Sequence, residues 1–183
     1  VKLFEAGVMK TDIVDILSAN SRLPNSLYGD LNGQINALDL GEGRLHELLD
    51  EYTEKSVSEA LTELKNRAEK MMSDHLLALP DGTISVEDYL DNDGVSDEPL
   101  KLAVDMTIDK NRLKIDFRRS SEACAGPVNI SKSTTIAATY VALKHVFTDV
   151  PANAGVLEPV DFIIPENSFL SVKAPKPVGG YTE

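Results

Sequence analysis

The hydrophobic pattern changes its period near residue 80, and this change constrains the fold more than any other feature of the sequence. Before residue 80, apolar side chains recur every three to four residues, as in a helix that buries one face. After the turn-forming residues 80–82 they alternate in steps of two, as in a half-buried strand. The sequence therefore predicts an α+β fold, with a helical part at 1–80 followed by a mixed α+β part at 81–183.

Three stretches of the first part have helical periodicity. Residues 11–18 predict a short helix with Thr11 as its N-cap, and Ser26 is the predicted N-cap of a second helix after a break at Pro24. The clearest helix is predicted over 56–79, where Ser56 and Glu59 would form a capping box. The second helix contains glycines, each of which costs about 1 kcal/mol in a helix interior, and these suggest close packing against another backbone. They are Gly29, Gly33, Gly41 and Gly43.

The second part combines strands with one more helix. Residues 100–117 alternate around a turn at Lys110, which predicts an antiparallel β-hairpin with one buried face. One further helix begins at Ser131 or Ser133, and residues 160–164 predict a strand.

Charge and composition exclude several classes of protein. The formal net charge is -12, so the basic surface that a nucleic-acid binder needs is missing. No apolar run approaches the ~20 residues needed to span a bilayer. Cys124 is the single cysteine, which rules out an internal disulfide and predicts a small semi-buried residue in a cytoplasmic protein. Both ends of the sequence look cut, so we expect an internal portion of one larger subunit, truncated at both ends.

The common catalytic and metal-binding motifs are absent. There is no phosphate-binding Walker loop, no complete dinucleotide fingerprint and no nucleophile elbow. The histidines His46, His75 and His145 do not have the spacing of a helical metal site. Residues 91–94 resemble the middle of a calcium loop, but its first and last ligands would be Tyr89 and Leu100, which do not fit. A turn is predicted there instead.

Four polar segments remain. The first comprises residues 19–24, 29–34 and Arg44; the second, residues 79–83 and 87–94; the third, Asp116-Phe117 and residues 126–129; the fourth, residues 151–155 and 165–180. On a helix Asp30 and Gln34 share one face, which on physical grounds alone favours a polar network between helices.

Taken in this order, the four segments resemble the hydantoinase B/oxoprolinase family across nearly the whole chain. The resemblance implies part of the B-type subunit of an ATP-dependent amidohydrolase, which cleaves a small cyclic amide such as a hydantoin or 5-oxoproline. It also implies a hydantoinase A-type partner that binds ATP and activates the substrate by phosphorylation. The divalent metal of the family is expected to bind outside this fragment, upstream of it.

The resemblance also assigns candidate residues for substrate binding or a polar network, which are Asn20, Arg22, Asp30, Gln34, Arg44, Asp116 and Asn129. In this view Arg22 or Arg44 binds a carboxylate or phosphate, and Asp30 orients that arginine. After Asp116-Phe117 the family has small residues, whereas this sequence has Arg118 and Arg119. The two arginines argue against a tight turn there, and against a role of that loop near a substrate.

Two other functions share the same resemblance. The chain could belong to the alpha-type subunit of an ATP-dependent ketone carboxylase of the acetone type, which would activate a ketone in the same way. A non-catalytic assembly subunit of the same family is the other alternative, and the departure at Arg118 and Arg119 favours it slightly.

Overall fold

The computed structural model describes residues 2–180 and confirms the α+β fold class. The helices are α1 (Thr11–Ala19), α2 (Pro24–Glu51), α3 (Glu54–Leu77) and α4 (Lys132–Val146), with a short 3-10 helix at Ala154–Leu157. The strands are β1 (Phe4–Glu5), β2 (Val8–Met9), β3 (Gly82–Leu90), β4 (Leu100–Asp109), β5 (Arg112–Asp116) and β6 (Val160–Ile163). The chain forms two compact units that divide between residues 59 and 60, inside α3 and before the change of period.

The first unit contains a short hairpin, β1 and β2, followed by α1 and α2. Helix α1 confirms the prediction for residues 11–18, although Lys10 is its N-cap and makes no side-chain capping bond. The predicted cap at Ser26 is wrong, because α2 already begins at Pro24. A proline is favoured at this position because the N–H of the first helical residue has no acceptor within the helix, so its loss costs no hydrogen bond.

The glycines of α2 do not mark close packing within the described residues. A Cβ at Gly29, Gly33, Gly41 or Gly43 would meet no other atom within 4 Å. The helix nevertheless runs without interruption for 28 residues, and none of them is buried. The expectation of a tightly packed backbone is therefore wrong for residues 2–180.

Helix α3 begins one turn earlier than its sequence suggests. The predicted capping box at Ser56 is wrong, because the helix starts at Glu54 and Thr53 precedes it. The Thr53 side-chain oxygen accepts a hydrogen bond from the Ser56 N–H at 3.2 Å. One free N–H of the first turn is satisfied in this way.

The second unit is built on a four-stranded sheet in the order β3-β4-β5-β6. The predicted hairpin is confirmed as β4 and β5, which pair from Asp105–Asp116 to Asp109–Arg112. Strand β6 pairs with β5 in parallel, and α4 lies between them in sequence. The sequence analysis missed β3, an edge strand that pairs along its full length with β4.

A single apolar core joins α3 to the sheet and to the loops after it. Its buried members are Ala68, Met72, Leu76, Leu113, Ile115, Phe117, Val150, Val156, Val160, Phe169 and Leu170. Helix α4 contributes the partly buried side chains of Tyr140 and Leu143. Among residues 2–180, no helix combines the length and the apolar character that crossing a membrane requires.

Candidate functional site

Two of the candidate residues in the first unit make local contacts. The Asn20 side-chain amide donates to the Ile16 carbonyl oxygen at 2.8 Å, at the C-terminal end of α1. The Arg44 guanidinium forms an exposed ion pair with Glu47, one turn further along α2, with Nη1 and Oε2 2.7 Å apart. Each contact stabilises one helix, and neither connects two segments.

Three other candidates in this unit have free polar groups. Arg22, Asp30 and Gln34 are exposed, and their side chains make no hydrogen bond or ion pair within the part of the chain that the structure describes. Asp30 and Gln34 lie one turn apart on α2, so their side chains share a face. Arg44 lies about 21 Å further along the same helix axis at 1.5 Å per residue, so Asp30 cannot orient it.

In the second unit, Asp116 ends β5 and is held by the arginine two residues later. Arg118 Nε and Nη2 donate to Asp116 Oδ2 at 2.9 and 2.6 Å. The Asp116 carboxylate is buried, whereas 65% of the Arg118 side chain is exposed. The hydrogen bonds from Arg118 lower the pKa of Asp116, so the carboxylate stays ionised.

The loop after Asp116 forms a tight turn, contrary to the expectation from its arginines. The Ser120 N–H donates to the Phe117 carbonyl oxygen at 2.9 Å. The Arg118 N–H donates to Asp116 Oδ1 at 3.0 Å and fixes the start of the turn. Both arginine side chains extend from the turn to acidic partners, and therefore do not crowd its backbone.

Arg119 connects this turn to the polar face of the sheet. Its Nε and Nη2 donate to Asp105 on β4 at 3.0 and 2.9 Å, and Nη1 donates to Glu87 on β3 at 3.3 Å. The hydrogen bonds from Arg119 lower the pKa of Asp105. The two arginines thus face three carboxylates, and the cluster has no net positive charge.

Two serines after the arginines extend the pairing of β4 beyond the end of β5. Ser120 Oγ accepts from the Ala103 N–H at 3.0 Å and donates to the Ala103 carbonyl oxygen at 2.8 Å. Ser121 Oγ accepts from the Lys101 N–H at 2.8 Å. These side chains take the place of a neighbouring strand, and so connect the turn firmly to the sheet.

Asn129 is the centre of the loops that follow, and its side chain is fully buried. Its Oδ1 accepts from the Cys124 N–H at 3.0 Å, and its Nδ2 lies 2.9–3.2 Å from the carbonyl oxygens of Cys124, Gly126 and Pro177. The Asn129 carbonyl oxygen accepts from the N–H groups of Gly179 and Gly180. This one residue therefore joins the third and fourth polar segments.

Asp93 joins the second segment to the third. Its Oδ1 accepts from the N–H groups of Val95 and Ser96 at 2.9 and 2.7 Å, and its Oδ2 accepts from the Gly126 N–H at 2.8 Å. These backbone hydrogen bonds, led by that from Ser96, lower the pKa of Asp93 to about 2. The loop at residues 91–94 therefore uses its buried carboxylate to hold backbone amides, in line with the predicted turn.

Two glycines allow these loops to approach one another. A Cβ at Gly126 would lie 1.7 Å from the Asp93 carbonyl oxygen, and a Cβ at Gly180 would lie 2.1 Å from the Val128 carbonyl oxygen. Both distances are shorter than any side chain tolerates. The glycines of the third and fourth segments are therefore required by close backbone contact.

Loops and helix α4 together line an apolar cavity of about 340 Å³. Its walls are formed by Leu90, Leu102, Phe117, Val128, Ile130, Thr135, Ala138, Thr139, Ala142, Phe169, Leu170 and Gly180. Three of the four polar segments contribute to these walls, and the first segment belongs to the other unit. The hydroxyls of Thr135 and Thr139 donate to the carbonyl oxygens of Leu170 and Thr135. The cavity thus offers apolar contact rather than unpaired donors.

Cys124 lies among the same loops and is semi-buried, as predicted. Burial is the main factor that raises the pKa of its thiol, and the nearby Asp93 carboxylate adds to the effect. A raised thiol pKa makes the nucleophilic thiolate rarer at neutral pH.

The sequence analysis missed Asp93, Arg118, Arg119, Ser120 and Ser121 as the residues that hold this region together. The signal for Asp93 was present in the Asp-x-Asp-Gly pattern, which fits an Asx-type turn as well as a calcium loop. No signal for the serines was available, because a side chain that replaces a strand is recognisable only once the neighbouring strand is placed.

Comparisons with known proteins agree with the resemblance. The Hydantoinase B/oxoprolinase family matches residues 1–183. The B-type subunit of a putative D-/L-hydantoinase from Pseudomonas sp. (strain NS671) is 31% identical over 97% of this chain and 32% of its own length. The crystal structure of ATP-dependent caprolactamase from Pseudomonas jessenii matches 98% of this chain and 31% of its own, with a TM-score of 0.85 and 28% identity.

A second solved structure shares the fold at lower similarity. The nucleotide-free structure of acetone carboxylase matches 100% of this chain and 26% of its own, with a TM-score of 0.83 and 14% identity. This likeness shows the fold alone. The chain spans about a third of the length of the hydantoinase subunit and of the caprolactamase chain. With a family match over its whole length, the chain belongs to the hydantoinase B/oxoprolinase family.

Proposed function

We propose that the chain is part of the B-type subunit of an ATP-dependent cyclic-amide hydrolase of the hydantoinase/5-oxoprolinase type. The observation that carries this proposal is the joint likeness in sequence and fold to ATP-dependent caprolactamase, at 28% identity and a TM-score of 0.85 over 98% of the chain. The family name and the hydantoinase relative support the same class of reaction. An A-type partner subunit would bind ATP and phosphorylate the substrate.

The chemistry of such a reaction explains why two subunits are useful. An amide carbonyl resists attack by water, and phosphorylation of its oxygen makes the carbonyl carbon a better electrophile. Water then adds to this carbon, and the ring C–N bond breaks as the nitrogen takes up a proton. A second water hydrolyses the resulting acyl phosphate and releases phosphate. ATP would bind to the partner, so this chain needs no phosphate-binding loop of its own. Its part in the proposal is to bind and orient the activated ring, which then opens.

The divalent metal implied by the resemblance finds no matching donor set among residues 2–180. Residues 2–180 contain no group of three or more His, Cys, Asp or Glu side chains that could hold an ion. We therefore assign no step of the reaction to a metal held by these residues.

The candidate residues divide into two roles under this proposal. Arg22, Asp30 and Gln34 keep free polar groups, and we assign them to contact with the substrate or the partner. Asp116 and Asn129 use their polar groups inside the protein, as described above, and act as positioning residues for the loops around the cavity. Asn20 and Arg44 already have partners within their own helices.

A phosphate-release assay tests the proposed activity. The B-type subunit that contains this chain is combined with its A-type partner and ATP, and hydantoin, 5-oxoproline, caprolactam or acetone with bicarbonate is added. We expect phosphate release together with a ring-opened product, identified by mass spectrometry, for at least one cyclic amide. Carboxylation of acetone alone would assign the chain to the ketone carboxylases. No turnover of any substrate by a folded complex would favour an assembly subunit.

A pair of arginine variants tests the residue assignment in the same assay. Arg22→Ala removes a free guanidinium, and loss of a charge-assisted hydrogen bond of about 1.5–3 kcal/mol should lower kcat/KM by roughly 10- to 100-fold. The control is Arg67→Ala, because Arg67 is also exposed but lies on α3 in none of the four segments. Equal activity of the two variants would remove Arg22 from the site.

A further inference from the structure

The sheet of the second unit has one apolar face that its helices cover incompletely. On β3 and β4 the even-numbered residues share this face, and the pairs Ile84–Met106 and Val86–Val104 lie side by side. Met106 and Val104 pack against the core, whereas Ile84 and Val86 are not part of it. The exposed fractions of Ile84 and Val86 are 63% and 49%. The apolar face is therefore buried at β5 and exposed at β3.

The open part forms a groove between β3 and α4. One end is the cavity of about 340 Å³ described above, which lies against the first half of α4. The other end is a second apolar cavity of about 370 Å³, which includes Ile84, Met106 and the last turn of α4 with Val146. Val146 is 71% exposed. We call this continuous surface the β3–α4 groove; it consists of the even-numbered residues 84–90 and 102–108 and the facing side of α4.

The dimensions of the groove fit one more helix. Four strands at a spacing of about 4.8 Å make a sheet about 19 Å wide, and a helix with its side chains covers about 10 Å. Helices α3 and α4 bury this face at β5 and β6, and the part over β3 and β4 that stays open is about 10 Å wide, the width that one helix covers. Strand β3, nine residues long, spans about 30 Å, which matches the length of a helix of roughly 20 residues.

Two charged residues of the described chain lie at this otherwise apolar surface: Asp81, which lines the second cavity and accepts from the Lys110 N–H, and Asp88. Asp88 is on the same face of β3 as Val86, and its cross-strand neighbour is Leu102. Within residues 2–180 its carboxylate accepts only from the Tyr89 N–H and forms no ion pair. An apolar segment that covered Asp88 would have to present a cation to it, since a buried unpaired carboxylate is strongly unfavourable.

We propose that an amphipathic helix of the same polypeptide, outside residues 1–183, lies in the β3–α4 groove beside α4 and places a lysine or arginine against Asp88. The hydantoinase subunit and the caprolactamase chain are about three times as long as this chain, so their polypeptides extend well beyond the matched region. A helix attached to the same chain also avoids the entropy lost when two separate molecules associate. Contiguous exposed apolar residues often mark a surface that another segment or molecule covers.

Cysteine labelling on opposite faces of β3 tests the proposal. Ile84→Cys lies in the groove, and the control Ser85→Cys lies on the polar face of the same strand; both native residues are exposed in this chain. Each variant is made in the full-length subunit, and alkylation by iodoacetamide, in the native state and in urea, is followed by peptide mass spectrometry. Peptide mapping separates these sites from Cys124.

We expect both sites to react readily in urea. In the native full-length subunit, the site at 84 should react roughly tenfold or more slowly than the site at 85. Asp88→Asn should lower the thermal midpoint of the full-length subunit and speed the labelling at 84. Equal labelling at 84 and 85 in the native subunit would overturn the proposal.

Three other outcomes would also overturn it. Protection of residue 84 that appears only after the A-type partner is added would assign the groove to that partner. Protection of residue 84 that increases with the concentration of the full-length subunit would assign it to a second copy. Protection in the full-length subunit without any effect of Asp88→Asn would remove the cation from the proposal. Val86→Cys repeats the measurement if Ile84→Cys does not fold.

Discussion

Replacing Asn129 by alanine tests whether this residue supports the loops around the cavity. The variant removes the buried Oδ1 that accepts from Cys124 and the Nδ2 that faces the carbonyl oxygens of Cys124, Gly126 and Pro177. The backbone hydrogen bonds from Gly179 and Gly180 to Asn129 remain. Any effect therefore reports on the side chain.

The magnitude follows from the number of hydrogen bonds that can form at once. Nδ2 carries two hydrogens for three carbonyl oxygens, so with Oδ1 the side chain makes about three good hydrogen bonds. At about 1 kcal/mol each, the loss is about 3 kcal/mol, and water that enters the new space can reduce it to about 2 kcal/mol. For a protein of this size the thermal midpoint should fall by about 4–12 °C.

The assay compares thermal unfolding of the wild type, Asn129→Ala and the control Asn167→Ala. Asn167 lies in a neighbouring loop, is exposed, and its side chain makes no hydrogen bond within residues 2–180. Hydrogen exchange of residues 172–180 should also increase in Asn129→Ala, because Pro177 loses a partner. If both variants unfold within about 1 °C of the wild type, the buried amide does not hold these loops and the reasoning fails.

The remaining predictions concern backbone contact, acid stability and thiol reactivity. Gly155→Ala places a Cβ 2.1 Å from the Lys65 carbonyl oxygen, and it should lower the free energy of unfolding by about 1–3 kcal/mol in urea titrations. In the control Gly29→Ala the new Cβ has no atom within 4 Å, so the free energy of unfolding should stay unchanged or rise slightly. The pKa of Asp93 is lowered to about 2 from 3.8, so its contribution to stability is complete above pH 4 and is lost as the pH falls towards 2. When the pH is lowered from 4 to 2, the urea midpoint of Asp93→Asn should therefore fall less than that of the wild type. The raised pKa of Cys124 predicts alkylation at pH 8 slower than that of a free cysteine, and equal rates would contradict the burial of this thiol.

Most of the secondary structure was predictable from the sequence because it follows local periodicity. The β4–β5 hairpin, α1, α4 and β6 all have a regular apolar pattern over their length. Strand β3 was missed because its residues alternate between apolar and polar only at Ile84, Ser85, Val86 and Glu87, and an edge strand with few buried residues leaves a weak pattern. The start of α2 was missed because a proline breaks a helix interior but is also favoured as the first helical residue, so Pro24 fits both interpretations.

The candidate site was less predictable, since the contacts that build it are long-range. Sequence spacing placed Asp30 and Gln34 on one helix face but gave no distance from Asp30 to Arg44. The structure gives that distance, because both residues lie on the uninterrupted helix α2. The turn after Asp116 was misjudged because arginines were expected to crowd it. Arg118 bonds to the nearby Asp116, but the partners of Arg119, Asp105 and Glu87, are 14 and 32 residues away and are not visible from local sequence.

The hydrogen bonds of Asn129 also narrow the search for the groups that contact a substrate. Both amide hydrogens of Asn129 are used inside the protein and its side chain is fully buried, so Asn129 can affect a reaction only through the loops it holds. Asp116 is restricted in the same way by Arg118. Arg22 and Asp30 retain unused polar groups, and substitution there should change kcat/KM without a matching change in stability. A variant at Asn129 should instead change both together, and this difference separates binding from positioning.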